Sequence, residues 1–176
     1  MPKLITTRRV ENEIDLARKY AKTHILFPSA LLGALFMLVG TATLIYQFAV
    51  ETYNWKTFAE STGLLLLGGL LGWVQTRYHR YVLREDPGYF AGRLRTFSKT
   101  GPKRSKKEPP VQPVEHAGSR LVPILYVAGI ALLLGVSSAC AMAGDVDYMA
   151  AFLMPWGGFF WSKMFFWRGV LIPDKS

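Results

Sequence analysis

Cysteines and catalytic motifs are scarce in this sequence. Its single cysteine, Cys140, cannot form an intramolecular disulfide, so the fold does not depend on oxidation. There is no HExxH motif, no nucleophile elbow, no P-loop and no cysteine pair. Asp145 and Asp147 lie two positions apart, a spacing for which a solvated turn is a simpler interpretation than a cation site. We therefore expect neither an enzyme nor a metal site.

Long apolar runs, by contrast, are abundant, and hydrophobic residues make up 51% of the 176 residues. Four apolar blocks lie at about 25–50, 58–76, 121–144 and 148–172. At least three of them approach or exceed the roughly 20 residues with which a helix crosses a ~30 Å hydrocarbon core. The connectors within the first pair and within the second pair are short. The sequence thus predicts an all-α integral membrane protein whose four spans form two hairpins.

This pattern divides the chain into five segments. An amphipathic N-terminal segment precedes the first hairpin, a basic loop with a short interfacial helix and a disordered linker separates the hairpins, and a short tail ends the chain. In chain order the segments cover 1–24, 25–76, 77–119, 120–172 and 173–176.

The basic residues are unevenly distributed, and this predicts the orientation. The formal net charge is +9. Six lysines and arginines precede the first span and eleven lie in 77–120, but the first hairpin connector has only Lys56, beside Glu51 and Glu60, and the second has none. Because cytoplasmic loops are enriched in Lys and Arg, we expect both termini and the central loop to be cytoplasmic. A bacterial inner membrane is the expected location.

Two basic segments have the pattern of amphipathic helices. In 7–22, apolar residues recur at helical spacing, and Ala17 is one of them. After a turn at 85–88, Phe90 and Leu94 are interleaved with Arg93. We expect these helices to lie on the anionic inner leaflet, with docking onto a partner as the alternative.

Glycine spacing marks candidate helix contacts. Gly68 and Gly72 are four residues apart in the second span, which lets another backbone approach closely. Gly33 in the first span and Gly135 in the third belong to similar small-residue patterns. These positions are expected to pack within the bundle or against another subunit.

Histidines provide the only candidate cofactor ligands. His24 opens the first span and His79 follows the second, so an antiparallel hairpin would place both at the same depth. Two imidazoles at one depth can bind a haem, and one can bind the magnesium of a chlorin. With the aromatic last span, a quinone is a further candidate. Anchoring at the interface is the competing interpretation.

An aromatic stripe in the fourth span surrounds one lysine. Trp156, Phe160, Lys163 and Trp167 share a helical face. Lys163 falls past the midplane, so its stem is expected to snorkel toward the inner interface as an anchor. Otherwise this stripe would bind an anionic lipid or a partner. The candidate lipid- and partner-binding arginines outside this span are Arg77, Arg80 and Arg93.

These features favour a non-catalytic accessory subunit of a multisubunit membrane complex, respiratory or photosynthetic in one version of the hypothesis. It would bind other integral membrane subunits and anionic phospholipids, with no nucleic acid. The alternatives are a redox subunit that binds haem, pigment or quinone, and a small oligomeric channel or transporter.

Overall fold

A computed structural model describes residues 13–97 and 121–171, and within these ranges the chain is helical without strands. The described residues form five helices: α1 Glu13–Ala49, α2 Trp55–Glu85, α3 Pro87–Phe97, α4 Leu121–Ala143 and α5 Tyr148–Leu171. The predicted linker after α3, the first part of the N-terminal amphipathic pattern and the C-terminal tail lie outside the described residues.

Within the described part of the chain, three helices have the dimensions of membrane spans. α1, α2 and α4 are each long and apolar enough to cross a membrane, with 37, 31 and 23 residues. α5 has 24 residues but is not one of these three. The chain is therefore helical and has the character of a membrane protein, as the sequence predicts.

The predicted boundary between the N-terminal amphipathic segment and the first span, at residues 24 and 25, does not coincide with a helix end. α1 is continuous through it, by way of a π-helical stretch at Ala21–Leu26 in which the Phe27 N–H donates to the Lys22 carbonyl. Pro28 follows directly and has no N–H to give to the preceding turn. The wider π-helical turn accommodates this missing donor without ending the helix.

α2 begins earlier than the apolar pattern suggests. The Asn54 side chain accepts the Thr57 N–H, and the Thr57 hydroxyl accepts the Asn54 N–H, so the two residues form a capping box. Glu60, assigned from the sequence to the connector, consequently lies within α2. Its Oε2 atom is buried without a hydrogen-bond partner among the described residues.

α5 is the central helix, because α1 packs on one side of it and α2 on the other. On the α2 side, a Cβ added to Gly68 would overlap the Pro155 carbonyl, and one added to Gly72 would overlap that of Phe159. On the α1 side, a Cβ on Gly33 would lie 3.1 Å from the backbone nitrogen of Trp161. Glycines thus bring three helix backbones close together. In a membrane the hydrophobic effect does not drive helices together, because lipid is as apolar as their side chains, and close packing through small residues takes its place.

α4 lies at the periphery of this core. Its buried residues are Leu133, Ser137 and Ala141, and most of its other side chains are exposed. Gly135 has no heavy atom within 4 Å of an added Cβ, so it makes no close helix contact within the described chain. Gly33, Gly68 and Gly72 do make close helix contacts, whereas Gly135 lies on the exposed side of α4.

The two amphipathic segments pack against each other at one end of the bundle, which we call the basic end. The first part of α1, the last part of α2 and all of α3 share a cluster of buried residues, here named the cap: Ala17, Tyr20, Val82, Phe90 and Leu94. The apolar faces expected to rest on lipid or a partner therefore cover one another within the chain.

The opposite end, the loop end, is held together by hydrogen bonds from the ends of α1 and α2 to the connector between α4 and α5. The buried Gln47 amide donates to the Asp145 carbonyl at 3.3 Å and accepts the Asp147 N–H at 3.2 Å. The Thr57 hydroxyl donates to the same Asp145 carbonyl at 2.8 Å. The connector with the two aspartates is thereby fixed to the ends of α1 and α2.

Candidate functional site

The two histidines lie at the basic end but do not face each other. Ring contacts run from His24 to Tyr20 with centroids 5.0 Å apart, from Tyr20 to Phe90 at 5.7 Å, and from Phe90 to His79 at 6.3 Å. Two aromatic rings of the cap therefore lie between the imidazoles along this path. Such packing does not resemble a haem site with two axial histidines, in which the imidazoles approach one iron from opposite faces.

His79 links α2 to α4. Its Nε2 atom lies 3.0 Å from the Tyr126 hydroxyl, while Nδ1 is buried without a partner among the described residues. Leaving a buried ring nitrogen unpaired costs about 1–3 kcal/mol, and the tyrosine bond removes this cost for the other nitrogen. The contact attaches the N-terminal part of α4, the peripheral helix, to the core.

The predicted aromatic stripe of α5 forms only in part. Trp156 and Phe160 are in contact, with centroids 6.3 Å apart, and Phe160 also contacts Phe36 of α1 at 5.9 Å. Trp167 is fully buried, and its indole Nε1 has no partner among the described residues. The stripe therefore packs largely inside the chain instead of forming one continuous outer surface.

Lys163 does not extend toward the basic end as a snorkelling anchor would. Its Nζ atom lies 4.7 Å from the Phe159 ring centroid and 5.9 Å from that of Phe160, both about one turn earlier in α5. Helical side chains lean toward the N-terminus of their helix, and α5 runs from the loop end to the basic end. The ammonium group therefore stays among aromatic faces, where cation–π attraction offsets part of its desolvation.

A cavity of about 230 Å³ lies at the basic end between α2 and α5. Two arginines and aromatic side chains line it: Trp73, Thr76, Arg77, Arg80 and Phe166. The Arg77 guanidinium lies over the Trp73 ring, 5.7 Å from its centroid. The structure thus places two of the predicted lipid-binding arginines in one concave site. Arg93 is elsewhere, 5.0 Å above the Tyr89 ring on α3.

A second cavity, an open groove of about 290 Å³, separates α1 from α5. Small residues of α1 form one wall, and larger side chains form the rest: Ser29, Ala30, Gly33, Ala34, Met37, Trp161 and Met164. The lining offers almost no polar atoms beyond the Ser29 hydroxyl. The groove is therefore suited to an apolar surface and not to a charged ligand.

Sequence reasoning missed two polar residues that form hydrogen bonds between elements, Gln47 and Tyr126, and misplaced a third, Glu60. Gln47 and Tyr126 interrupt otherwise apolar stretches, and an amide or phenol in such a stretch signals a hydrogen bond to another element. Glu60 was placed outside the helix, although it falls within the apolar block at 58–76. Among the described residues, no group of three His, Cys, Asp or Glu side chains is placed to bind a metal.

Comparison with known proteins finds no matching family model, no matching curated sequence and no matching solved structure.

Proposed function

We propose that this chain is a non-catalytic accessory subunit of a multisubunit membrane complex, and that it docks a transmembrane helix of a partner in the groove between α1 and α5. The observation that carries the proposal is the groove itself, an open apolar cavity of about 290 Å³ on the side of a helical bundle. Respiratory and photosynthetic assemblies are the candidate hosts.

The spacing of small residues favours a helix as the occupant. Ala30 and Ala34 are four residues apart on α1, and both line the groove. The same spacing at Gly68 and Gly72 lets α5 approach α2 until their backbones touch. A partner helix with small or apolar side chains would find a similar surface at the groove, bounded by Trp161 and Met164.

The interior hydroxyls support a structural role. Thr43 and Thr76 donate to carbonyls one turn earlier in their own helices, at 2.9 and 2.8 Å, and Ser61 donates to the Phe58 carbonyl at 3.2 Å. Hydroxyls paired in this way satisfy backbone groups and line no polar path. The Gln47 amide, by contrast, joins α1 to the connector between α4 and α5. These polar groups therefore serve the helices and their connection.

The orientation belongs to the same proposal. We place α5 across the membrane with the other three long helices, because it lies between α1 and α2 and runs parallel to α2. The basic end would face the cytoplasm of a bacterial cell and the loop end the outside, in accordance with the positive-inside rule. Labelling single cysteines introduced at Ala143 and Arg84, in a Cys140→Ser background, with a membrane-impermeant reagent on intact cells tests this. Labelling should occur at residue 143 alone.

Filling the groove tests the docking role. Ala34→Leu places a bulky side chain in the groove, whereas Ala42→Leu makes the same change two turns further along α1, at an exposed position outside it. After mild solubilisation from native membranes, wild type and Ala42→Leu should migrate in one large complex on native electrophoresis. The Ala34→Leu variant should dissociate from the complex and migrate separately. Migration of the wild-type chain as a lone protomer of 19.8 kDa plus detergent would refute the proposal.

A further inference from the structure

The cavity at the basic end has the side chains of an anion site. Trp73, Thr76, Arg77 and Arg80 follow one another at i, i+3, i+4 and i+7, so they share one face of α2. Phe166 closes the cavity from α5. The two guanidinium groups are consequently on the same side of one concave surface, with aromatic rings on its walls.

Neither guanidinium is neutralised within the described chain. No described carboxylate pairs with Arg77 or Arg80, and the Arg77 guanidinium lies over the Trp73 ring. The Thr76 hydroxyl already donates its proton to the Gly72 carbonyl at 2.8 Å. Recognition of an anion would therefore come from the arginines, with Thr76 as the buried floor of the cavity.

We propose that this cavity binds the phosphate of an anionic phospholipid headgroup. Arginine guanidinium groups match phosphate oxygens with paired hydrogen bonds, which a lysine cannot reproduce. The volume of about 230 Å³ is below the ~300–1,000 Å³ of pockets for drug-sized ligands, so it suits a headgroup and is too small for a macrocycle. The proposal is independent of helix docking, since the groove for the partner lies on the opposite side of α5.

The position along α2 favours a lipid over a soluble phosphate compound. The apolar part of the helix ends at Thr76, and the arginines begin at the next residue. Trp73 lies one turn nearer the apolar part and is 39% exposed. If Arg77 and Arg80 hold the phosphate of a lipid, the glycerol of that lipid would lie beside Trp73 and its acyl chains beside the apolar part of α2.

Native mass spectrometry of the detergent-purified full-length protein tests the site. The probes are dioleoyl phosphatidylglycerol, dioleoyl phosphatidylcholine and inorganic phosphate, each titrated against wild type and three variants. Arg77→Gln/Arg80→Gln removes both charges, and Arg77→Lys/Arg80→Lys keeps the charge but loses the fork geometry. Arg84→Gln is the matched control, because it removes an exposed arginine of α2 outside the cavity.

Wild type and Arg84→Gln should bind one phosphatidylglycerol more tightly than the choline lipid. The glutamine double variant should bind it at least about tenfold more weakly, since each charge-assisted hydrogen bond contributes about 1.5–3 kcal/mol, or roughly a factor of ten or more. The affinity of the lysine double variant should lie between these two values.

Equal losses of phosphatidylglycerol affinity in the glutamine double variant and in Arg84→Gln would refute a specific site, and so would equal binding of the two lipids. Displacement of the lipid by millimolar phosphate would show that the cavity takes soluble phosphate, which overturns the lipid assignment. An unchanged thermal midpoint confirms that each variant is folded.

Discussion

The backbone of Gly68 on α2 lies directly against the carbonyl group of Pro155 on α5, so that any side chain at position 68 would overlap that carbonyl. Pro155 lies inside α5 and contributes no N–H to the helix, yet α5 continues through it. The contact is repeated one turn on, where Gly72 meets Phe159. The two parallel helices are therefore packed backbone to backbone over at least one turn.

Gly68→Ala should destabilise the bundle severely. The added methyl group meets backbone atoms of Pro155, which no rotamer change can move, so the helices must separate. We expect a loss of several kcal/mol, beyond the ~1–3 kcal/mol typical of an overpacked core. The free energy of unfolding in mixed SDS micelles measures the loss.

Gly63→Ala is the matched control on the same helix. A Cβ at position 63 has no heavy atom within 4 Å, so this substitution should be neutral or stabilise α2 by up to about 1 kcal/mol through helix propensity. Similar losses in both variants would show that glycine affects the helix itself and not its contact with α5.

Thr57→Val should weaken the loop end. The substitution keeps the shape of a fully buried side chain but removes the hydroxyl that donates to the Asp145 carbonyl at 2.8 Å and completes the capping box. A cost of about 1–3 kcal/mol is expected, because the Asp145 carbonyl loses a donor and α2 loses part of its N-terminal capping box. Thr43→Val, whose hydroxyl bonds only within its own helix, should cost below about 0.5 kcal/mol. Both values come from the same unfolding titration, and equal costs would contradict a role of Thr57 in joining α2 to the connector before α5.

Local spacing explains what could be predicted from the sequence. Gly68 and Gly72 show their packing role in a four-residue interval, and the residues from Pro87 show a helix after a turn signal. The continuity of α1 could not be predicted in this way. The change from a basic to an apolar stretch near His24 looks like a boundary, but backbone hydrogen bonding continues through it.

Contacts between distant positions explain what could not be predicted. Gln47 and Asp147 are one hundred residues apart, and nothing near either residue indicates the other. The cap likewise depends on contacts between distant positions. Ala17 and Phe90 each belong to an amphipathic pattern, but neither pattern indicates that the other covers it. An apolar face predicts that something covers it, whereas only the folded chain shows what does.

Phe90→Ala should loosen the cap without affecting α5. The Phe90 side chain is buried between Tyr20 and His79, so its removal should cost about 3–5 kcal/mol locally. Hydrogen exchange followed by mass spectrometry should show faster exchange across 87–94 and unchanged exchange across 152–160.

Phe58→Ala, a half-exposed phenylalanine at the loop end, serves as the control and should leave exchange across 87–94 unchanged. If Phe90→Ala also accelerated exchange in α5, the cap would belong to the same cooperative unit as the core, contrary to this prediction.

Tyr126→Phe should release the N-terminal part of α4 from His79. The variant keeps the ring and loses the hydroxyl 3.0 Å from Nε2, which leaves both imidazole nitrogens without a described partner. We expect a stability loss of about 1–2 kcal/mol and a changed ¹⁵N shift of the His79 ring. Tyr148→Phe, at a 68% exposed position, should change neither quantity. An unchanged His79 spectrum in Tyr126→Phe would refute the hydrogen bond.

Lys163→Met should leave stability unchanged or raise it slightly. The lysine is half-buried against Phe159 and Phe160, and no described carboxylate pairs with it. Cation–π attraction of about 0.5–2 kcal/mol then opposes a desolvation cost of similar size, and methionine fills the same space with favourable sulfur–aromatic contacts. Lys163→Glu should be clearly destabilising, because a carboxylate is repelled by the negative ring faces that attract the ammonium group. The unfolding free energies of both variants in detergent, each compared with that of wild type, test these expectations. A loss above about 1.5 kcal/mol in the methionine variant, more than a volume-conserving change usually costs, would contradict this prediction.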